Sequence, residues 1–162
     1  MPAMEKVLTY SRTAVSEYDG VAQQRPWDCG PAAAQIILQA AGVNKSEDWL
    51  IRQIGTTTAG TNHTGLITPV LNKLLPGSGY TVKWLTTDPP TAQQIDQLFS
   101  DVKRSIEAGR GCIFNFVSPP WFRPRPSYTS KQALLYGGGS TIYHYLAGMG
   151  VAIDSAGERH IW

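Results

Sequence analysis

Two residues far apart in this sequence, a cysteine and a histidine, are of the types that nucleophilic catalysis needs. Cys29 follows Asp28 and opens an apolar pattern of helical period, so its thiol is predicted at the first position of a helix. Unpaired backbone N–H groups and the helix dipole favour the thiolate there, and the thiolate is the nucleophile. His144, in a predicted strand, could take the proton and return it to a leaving amine. The alternatives are a cysteine that packs as a small hydrophobe and a hydrogen-bonded strand histidine.

The neighbours of Cys29 suggest how a substrate would be handled. Gly30 has no side chain, which would let a substrate carbonyl approach the sulfur. Gln23 lies six residues before Cys29 on a non-helical approach. Its amide, together with the Cys29 backbone N–H, could donate to the oxyanion that forms when the thiolate attacks. Gln24 is the alternative for this role.

Aromatic and basic residues are candidates for binding the substrate. Trp27 is expected either to wall a groove beside the sulfur or to join the core. Trp121 lies on a long loop, 118–139, that is rich in proline and glycine. Arg123 and Arg125 on the same loop could bind carboxylates of an acidic peptide, while Trp121 stacks on it. A plain solvated loop is the alternative.

Other chemistry finds little support in the sequence. Cys29 and Cys112 cannot form a disulfide framework, and Cys112 is expected in the core of a strand. His63, His144 and His160 lie far apart and no zinc-ligand spacing is present, so we expect neither a metal nor a cofactor. His63 is expected at the polar surface, with a place in the cleft as the alternative. The serine-hydrolase elbow and the phosphate-binding loop are absent as well.

Composition limits the class of protein. The chain has 162 residues, of which 42% are hydrophobic and 16% charged, with a net charge of +2. This length predicts a single domain over 1–162, and the balanced charge argues against a nucleic-acid partner. No apolar run is long enough for a membrane anchor, and residues 1–10 do not resemble a secretory signal.

Periodicity and turn residues predict the elements that would position Cys29 and His144. Asp28 is the expected N-cap of the first helix, and Gly42 its C-terminal stop. We expect helices at about 29–41, 47–55, 65–75 and 92–108, and strands at 7–10, 80–85, 112–117, 142–152 and 159–162. Helices come mostly first and strands mostly last, which predicts an α+β fold with N-terminal helices packed on a C-terminal antiparallel sheet.

Two segments carry a resemblance to a known family. Residues 23–33 read Gln-Gln-Arg-Pro-Trp-Asp-Cys-Gly-Pro-Ala-Ala, and residues 143–150 read Tyr-His-Tyr-Leu-Ala-Gly-Met-Gly. They resemble the Cys and His motifs of papain-like peptidases related to the bacteriocin-processing family. Residues 55–58, 62–70 and 119–124 resemble, more narrowly, the N-terminal peptidase domain of mycobacteriophage endolysins.

The resemblance implies a papain-like cysteine peptidase fold and hydrolysis of amide bonds in peptidoglycan stem peptides or cross-links. Cys29 would attack, Gln23 would hold the oxyanion, and His144 would activate water on the acyl-enzyme. The domain would be the N-terminal part of a longer endolysin, a monomer in the host cytoplasm that reaches the cell wall at lysis. A non-catalytic module that binds wall peptides is the alternative, and a processing protease for secreted peptides is weakened by the lack of membrane or ATPase segments.

The third group of a papain-like triad, which orients the histidine, is harder to assign. Asp154 follows His144 but would lie at the far end of a straight strand, in a turn. Asn115 on the neighbouring strand and a sharp bend in the His strand are two further options. We expect instead that the usual acid lies beyond Trp162.

Overall fold

The computed structural model describes residues 7–14, 22–123 and 139–162. Within these ranges the chain forms four α-helices and five β-strands. The helices are α1 (Cys29–Ala40), α2 (Glu47–Ile54), α3 (Thr68–Leu74) and α4 (Ala92–Glu107), with a short 3-10 turn (Thr64–Leu66) before α3. The strands are β1 (Leu8–Thr13), β2 (Cys112–Ser118), β3 (Ile142–Gly148), β4 (Gly150–Asp154) and β5 (Arg159–Ile161). Helices and antiparallel strands together confirm the α+β class.

Local capping explains where two of the helices begin. The Ser46 hydroxyl accepts a hydrogen bond from Trp49 N at 3.2 Å at the start of α2. Thr91 and Gln94 form a reciprocal capping box at the start of α4, with Gln94 N donating to Thr91 Oγ1 at 3.2 Å and Thr91 N donating to Gln94 Oε1 at 2.9 Å. Gly55 ends α2 with a φ of 76°, the left-handed conformation that glycine adopts without strain.

The described strands form two sheets rather than the single sheet that was predicted. β2 pairs with β3, and β4 lies between β1 and β5, all antiparallel. The predicted strand 142–152 is therefore wrong as one element, because the chain leaves one sheet at Met149 and enters the other. Trp162 O accepts hydrogen bonds from Met149 N at 2.6 Å and from Gly150 N at 2.9 Å, which fixes the crossing. A Cβ at Gly150 would run into the Trp162 ring, so the close approach needs glycine there.

The predicted strand 80–85 is also wrong, since this segment has no ladder partner in the described part of the chain. Its first residue is fixed by side chains instead. Tyr80 N donates to Asn72 Oδ1 at 2.8 Å, Tyr80 O accepts from Asn72 Nδ2 at 2.9 Å, and the Tyr80 hydroxyl donates to Gly111 O at 3.1 Å. Residues beyond it are mostly exposed, so alternating apolar residues here do not face a core.

The core is built around α1, which packs against α2, α3, β2 and β3. Ile37 and Leu38 of this helix are fully buried, together with Leu50 of α2 and Val151 of β4. Helix α4 covers β1, β4 and β2 with its apolar face of Phe99, Val102 and Ile106. In the ranges that the structure describes, no helix has both the length and the apolar character needed to cross a bilayer.

Candidate active site

Cys29 is the first residue of α1; its thiol is not in a disulfide, and the residue is partly exposed. Asp28 occupies the predicted N-cap position, but its side chain makes no capping hydrogen bond. The carboxylate turns back instead and accepts from Arg25 N at 3.1 Å. The first turn of α1 therefore begins at the cysteine without a capping oxygen from Asp28 competing for its N–H groups, an arrangement that suits an anionic sulfur or a substrate oxyanion.

The strand that carries His144 is in direct contact with the helix that begins at Cys29. His144 is half-buried, lies opposite Phe116 of β2, and meets that ring edge-on with the ring centroids 5.9 Å apart. Burial lowers the pKa of His144, which favours the neutral imidazole that a general base needs. The structure thus brings α1 and β3 together, and direct pairing of thiol and imidazole stays a prediction.

Tyr145 is a neighbour of Cys29 that the sequence reasoning missed. It is only 6% exposed, and its pKa is raised first by burial and then by the charge of the nearby Cys29. Its hydroxyl donates to Thr61 O at 3.3 Å and accepts from Asn115 Nδ2 at 3.3 Å. A short polar network from three elements therefore closes around the N-terminus of α1. Its position directly after His144, the predicted general base, is the sequence signal that points to Tyr145.

Gly30 has a packing role that differs from the predicted one. A Cβ at this position would meet Thr61 Oγ1, would lie 3.0 Å from Thr61 Cβ, and would lie 3.5 Å from Ile67 Cδ1. Thr61 Oγ1 is in turn hydrogen-bonded to Thr56 Oγ1 at 2.7 Å in the interior. The space on the Cβ side of Gly30 is thus filled by Thr61, while the approach of a substrate carbonyl to the Cys29 sulfur stays a prediction.

The two candidate oxyanion donors sit on the loop before Cys29. The Gln23 side chain donates to Arg25 O at 2.7 Å, which holds it against its own loop. A primary amide has two N–H groups, so the second remains a possible donor to a substrate. Gln24 is exposed, and its backbone N–H donates to Glu47 Oε1 at 3.1 Å. The role of either side chain in catalysis stays a prediction.

Trp27 and Trp121 differ in their surroundings. Trp27 is half-buried two residues before Cys29, and the Arg25 guanidinium carbon lies 5.5 Å from its ring centroid. Trp121 is 85% exposed on the turn that follows β2. Both rings are accessible enough to contact a peptide, and substrate binding by either stays a prediction.

Arg123 fastens the base of the long loop. It donates to Ser118 O at 2.6 Å and to Ser140 O at 2.7 Å, which ties the two described ends of the loop together. Its guanidinium therefore has a structural use besides the predicted binding of carboxylates. Arg125 lies outside the described residues.

His63 and Cys112 lie where the sequence placed them. His63 is exposed just before the 3-10 turn. Cys112 begins β2 and packs against the core, and burial raises the pKa of its thiol.

The Asp154 carboxylate holds the turn between β4 and β5. It accepts from Ala156 N at 3.0 Å and Glu158 N at 2.9 Å, and its second oxygen lies 3.0 Å from His160 Nε2. The donor atoms of Asp154, Glu158 and His160 lie within 4.8 Å of one another, close enough in principle for a cation. Every contact named here is accounted for by the turn, so the carboxylate serves the hairpin.

Glu47 is a second residue that sequence reasoning missed. It is the first residue of α2 and is 1% exposed, and it accepts from Gln24 N while Asp28, which is 0% exposed, accepts from Arg25 N next to it. Burial and the hydrogen bond with Asp28 raise the pKa of Glu47 to about 7. Nothing in the sequence distinguishes Glu47 from an ordinary acidic residue in the first turn of a capped helix, because the contact with Asp28 is tertiary.

Comparison with known proteins identifies the family of the chain. The model of the Peptidase_C39 like family matches residues 15–160. A protein of Methanothermobacter thermautotrophicus (strain Delta H), named only "Uncharacterized protein", is 41% identical over 59 residues, which are 36% of this chain and 42% of that protein. The chain thus matches less than half of the length of that relative, and no solved structure matches it. A match over most of the sequence, including Cys29 and His144, shows that the chain belongs to the Peptidase_C39 like family, which indicates a function of the cysteine-peptidase type.

Proposed function

We propose that this chain is a papain-like cysteine endopeptidase that hydrolyses amide bonds in the stem peptides or cross-links of bacterial peptidoglycan. The observation that carries the proposal is a partly exposed free cysteine at the first position of α1, on a helix packed against the strand of His144. Family membership supports the peptidase chemistry. The choice of peptidoglycan, within a phage endolysin that acts on the host wall, rests on the resemblance of residues 55–58, 62–70 and 119–124 to endolysin peptidase domains.

In the proposed reaction neutral His144 takes the proton of the Cys29 thiol, and the resulting thiolate attacks the carbonyl carbon of the amide. The Cys29 N–H and the free N–H of Gln23 stabilise the tetrahedral oxyanion. Protonated His144 gives its proton to the leaving amine as the C–N bond breaks, which leaves a thioester on Cys29. His144 then takes a proton from water, the hydroxide attacks the thioester, and the carboxylate product leaves as the thiolate is regenerated.

The first experiment is release of new amino groups from purified peptidoglycan, with mass spectrometry of the products to identify the bond. Cys29→Ala should abolish release. Cys112→Ala is the matched control, since it removes the other cysteine, whose thiol packs against the core. His144→Ala should lower the rate by at least ~100-fold, in the range typical of a lost general base.

Full activity in Cys29→Ala would refute the peptidase proposal. Binding of wall fragments without release by the unsubstituted protein would favour the non-catalytic module instead. Alkylation with iodoacetamide at neutral pH separates these cases further, because a thiol activated for catalysis should react faster at Cys29 than a free cysteine does.

A further inference from the structure

Two buried carboxyl groups accept hydrogen bonds from the loop that leads into Cys29. Glu47 Oε1 accepts from Gln24 N at 3.1 Å, and Asp28 Oδ1 accepts from Arg25 N at 3.1 Å. Two consecutive backbone N–H groups of the loop are thus bound by two acids, one from α2 and one directly before α1. Both acids are buried almost completely, with exposed fractions of 1% for Glu47 and 0% for Asp28.

The remaining oxygens of these carboxyl groups have few hydrogen-bond donors near them. Asp28 Oδ2 lies 3.5 Å from Arg25 Nη1, a long contact, while Arg25 Nη2 lies 2.7 Å from Asp48 Oδ1. Glu47 Oε2 is buried, and no donor within the described residues reaches it. Two ionised carboxylates offer only acceptors and repel each other, whereas a protonated one can donate to the other. Burial, followed by interaction with Asp28, raises the pKa of Glu47, and a proton on Glu47 would give the buried pair the donor that two carboxylates lack.

We propose that Glu47, in its protonated form, is a positioning residue of this site: it joins Asp28 to the loop backbone and thereby fixes Gln23 and Cys29 for attack. Its role in hydrolysis rests on the proposed function. The charged groups that act on it are Asp28 at the head of α1 and Arg25 on the loop, while Asp48, the next residue of α2, pairs with Arg25 at the surface.

The proposal predicts a specific response to pH. When Glu47 ionises, a second negative charge enters the buried pair and the hydrogen bond to Asp28 is lost. The loop then loosens, and the reactivity of Cys29 falls on the alkaline side of neutrality. The Glu47 pKa of about 7 puts this change in a range that is convenient to measure.

Two substitutions separate positioning from bulk structure. Glu47→Gln keeps the shape, can accept from Gln24 N and can donate to Asp28, but it cannot ionise. Glu47→Ala removes both bonds. Asp48→Asn is the matched control on the next residue of α2, because the Asp48 side chain is 59% exposed and contacts Arg25 only from the surface.

The experiment measures kcat and KM for amine release, and the rate of iodoacetamide alkylation of Cys29, from about pH 5 to about pH 9. All variants carry Cys112→Ala, so that only one thiol reacts. Dividing the alkylation rate of Glu47→Gln by that of the parent cancels the ionisation of the thiol that both share. We expect this ratio to rise at least about threefold through pH 7, Asp48→Asn to follow the parent, and Glu47→Ala to lower kcat about tenfold with a smaller change in KM.

A ratio that stays constant with pH would overturn the proposal, as would a Glu47→Ala protein that folds and keeps its kcat. If Glu47→Ala does not fold, the pH profile of Glu47→Gln decides alone. The alkylation assay needs no turnover, so it tests the positioning role even if the chain proves not to hydrolyse peptidoglycan.

Discussion

Replacing Gly30 with alanine should destabilise the protein, although alanine is the better helix former. The backbone at Gly30 has an ordinary negative φ, so only the lack of space opposes a side chain. The new Cβ would displace the Thr61 side chain and strain its hydrogen bond with Thr56. Overpacking in an interior costs about 1–3 kcal/mol and a weakened hydrogen bond about 1 kcal/mol, while the gain in helix propensity is at most about 1 kcal/mol.

The net effect is a loss of about 1–3 kcal/mol in the free energy of unfolding. For a chain of this length, that corresponds to a fall in Tm of roughly 3–9 °C. Urea unfolding, followed by tryptophan fluorescence, measures this loss. The urea midpoint should fall, while the dependence of the unfolding free energy on urea concentration (the m-value) should not change. Gly139→Ala is the control, since no heavy atom of the described residues lies within 4 Å of its added Cβ and its φ is not positive.

A double-mutant cycle tests the cause of the loss. Thr61→Ala alone leaves the buried Thr56 hydroxyl without this partner, at a cost of about 1 kcal/mol or more. Combined with Gly30→Ala, it makes room for the added methyl group, so the two losses should sum to clearly more than the loss in the double variant. Strict additivity, or a Gly30→Ala protein within about 0.5 kcal/mol of the parent, would refute the packing argument.

Three further predictions concern other parts of the molecule. Asn72→Ala should lower the free energy of unfolding, measured in urea, by about 2–3 kcal/mol. The reason is that the Asn72 side chain makes three hydrogen bonds, two with the Tyr80 backbone and one from Ser78 Oγ. A loss below about 0.5 kcal/mol would contradict this prediction. In a Cys29→Ala background, Cys112 should be alkylated at pH 8 more slowly than free cysteine, because burial raises the pKa of its thiol. Mass spectrometry measures the alkylation rate, and a rate equal to that of free cysteine would contradict the prediction. The folded state raises the pKa of Glu47 from 4.5 to about 7, so the stability that its proton provides is complete below pH 4.5 and is lost as the pH rises through 7. The loss should total about 3 kcal/mol relative to Glu47→Gln, and parallel stability curves for the two proteins would disprove it.

The features that the sequence predicted well are those set by neighbours along the chain. Helix α1 begins at Cys29, and α2 and α4 begin after Ser46 and Thr91, because caps and apolar periodicity act within a few residues. The segment 80–85 has the alternation of a strand but lies on the surface, and alternation alone does not supply a pairing partner.

The site was harder to predict because its important contacts are tertiary. The Asp28 carboxylate was expected to cap α1, yet it serves the loop before the helix and the acid on α2. Gly30 was expected to let a substrate approach the sulfur, but the contact that requires glycine there is with Thr61, from another loop, and nothing in the sequence indicates it. The sequence implied one tertiary contact of the site, that between α1 and β3, because catalysis would need Cys29 close to His144. The two elements are in contact in the structure.

The arrangement of the three-stranded sheet has a consequence for biosynthesis. Strand β1 is synthesised long before its partner β4, since Leu8 lies opposite Asp154. A ribosome adding about 5–20 residues per second leaves β1 unpaired for on the order of ten seconds, while all four helices emerge. Nascent chains that stall before β4 should therefore expose an unpaired strand edge, to which chaperones can bind and through which the chains can aggregate.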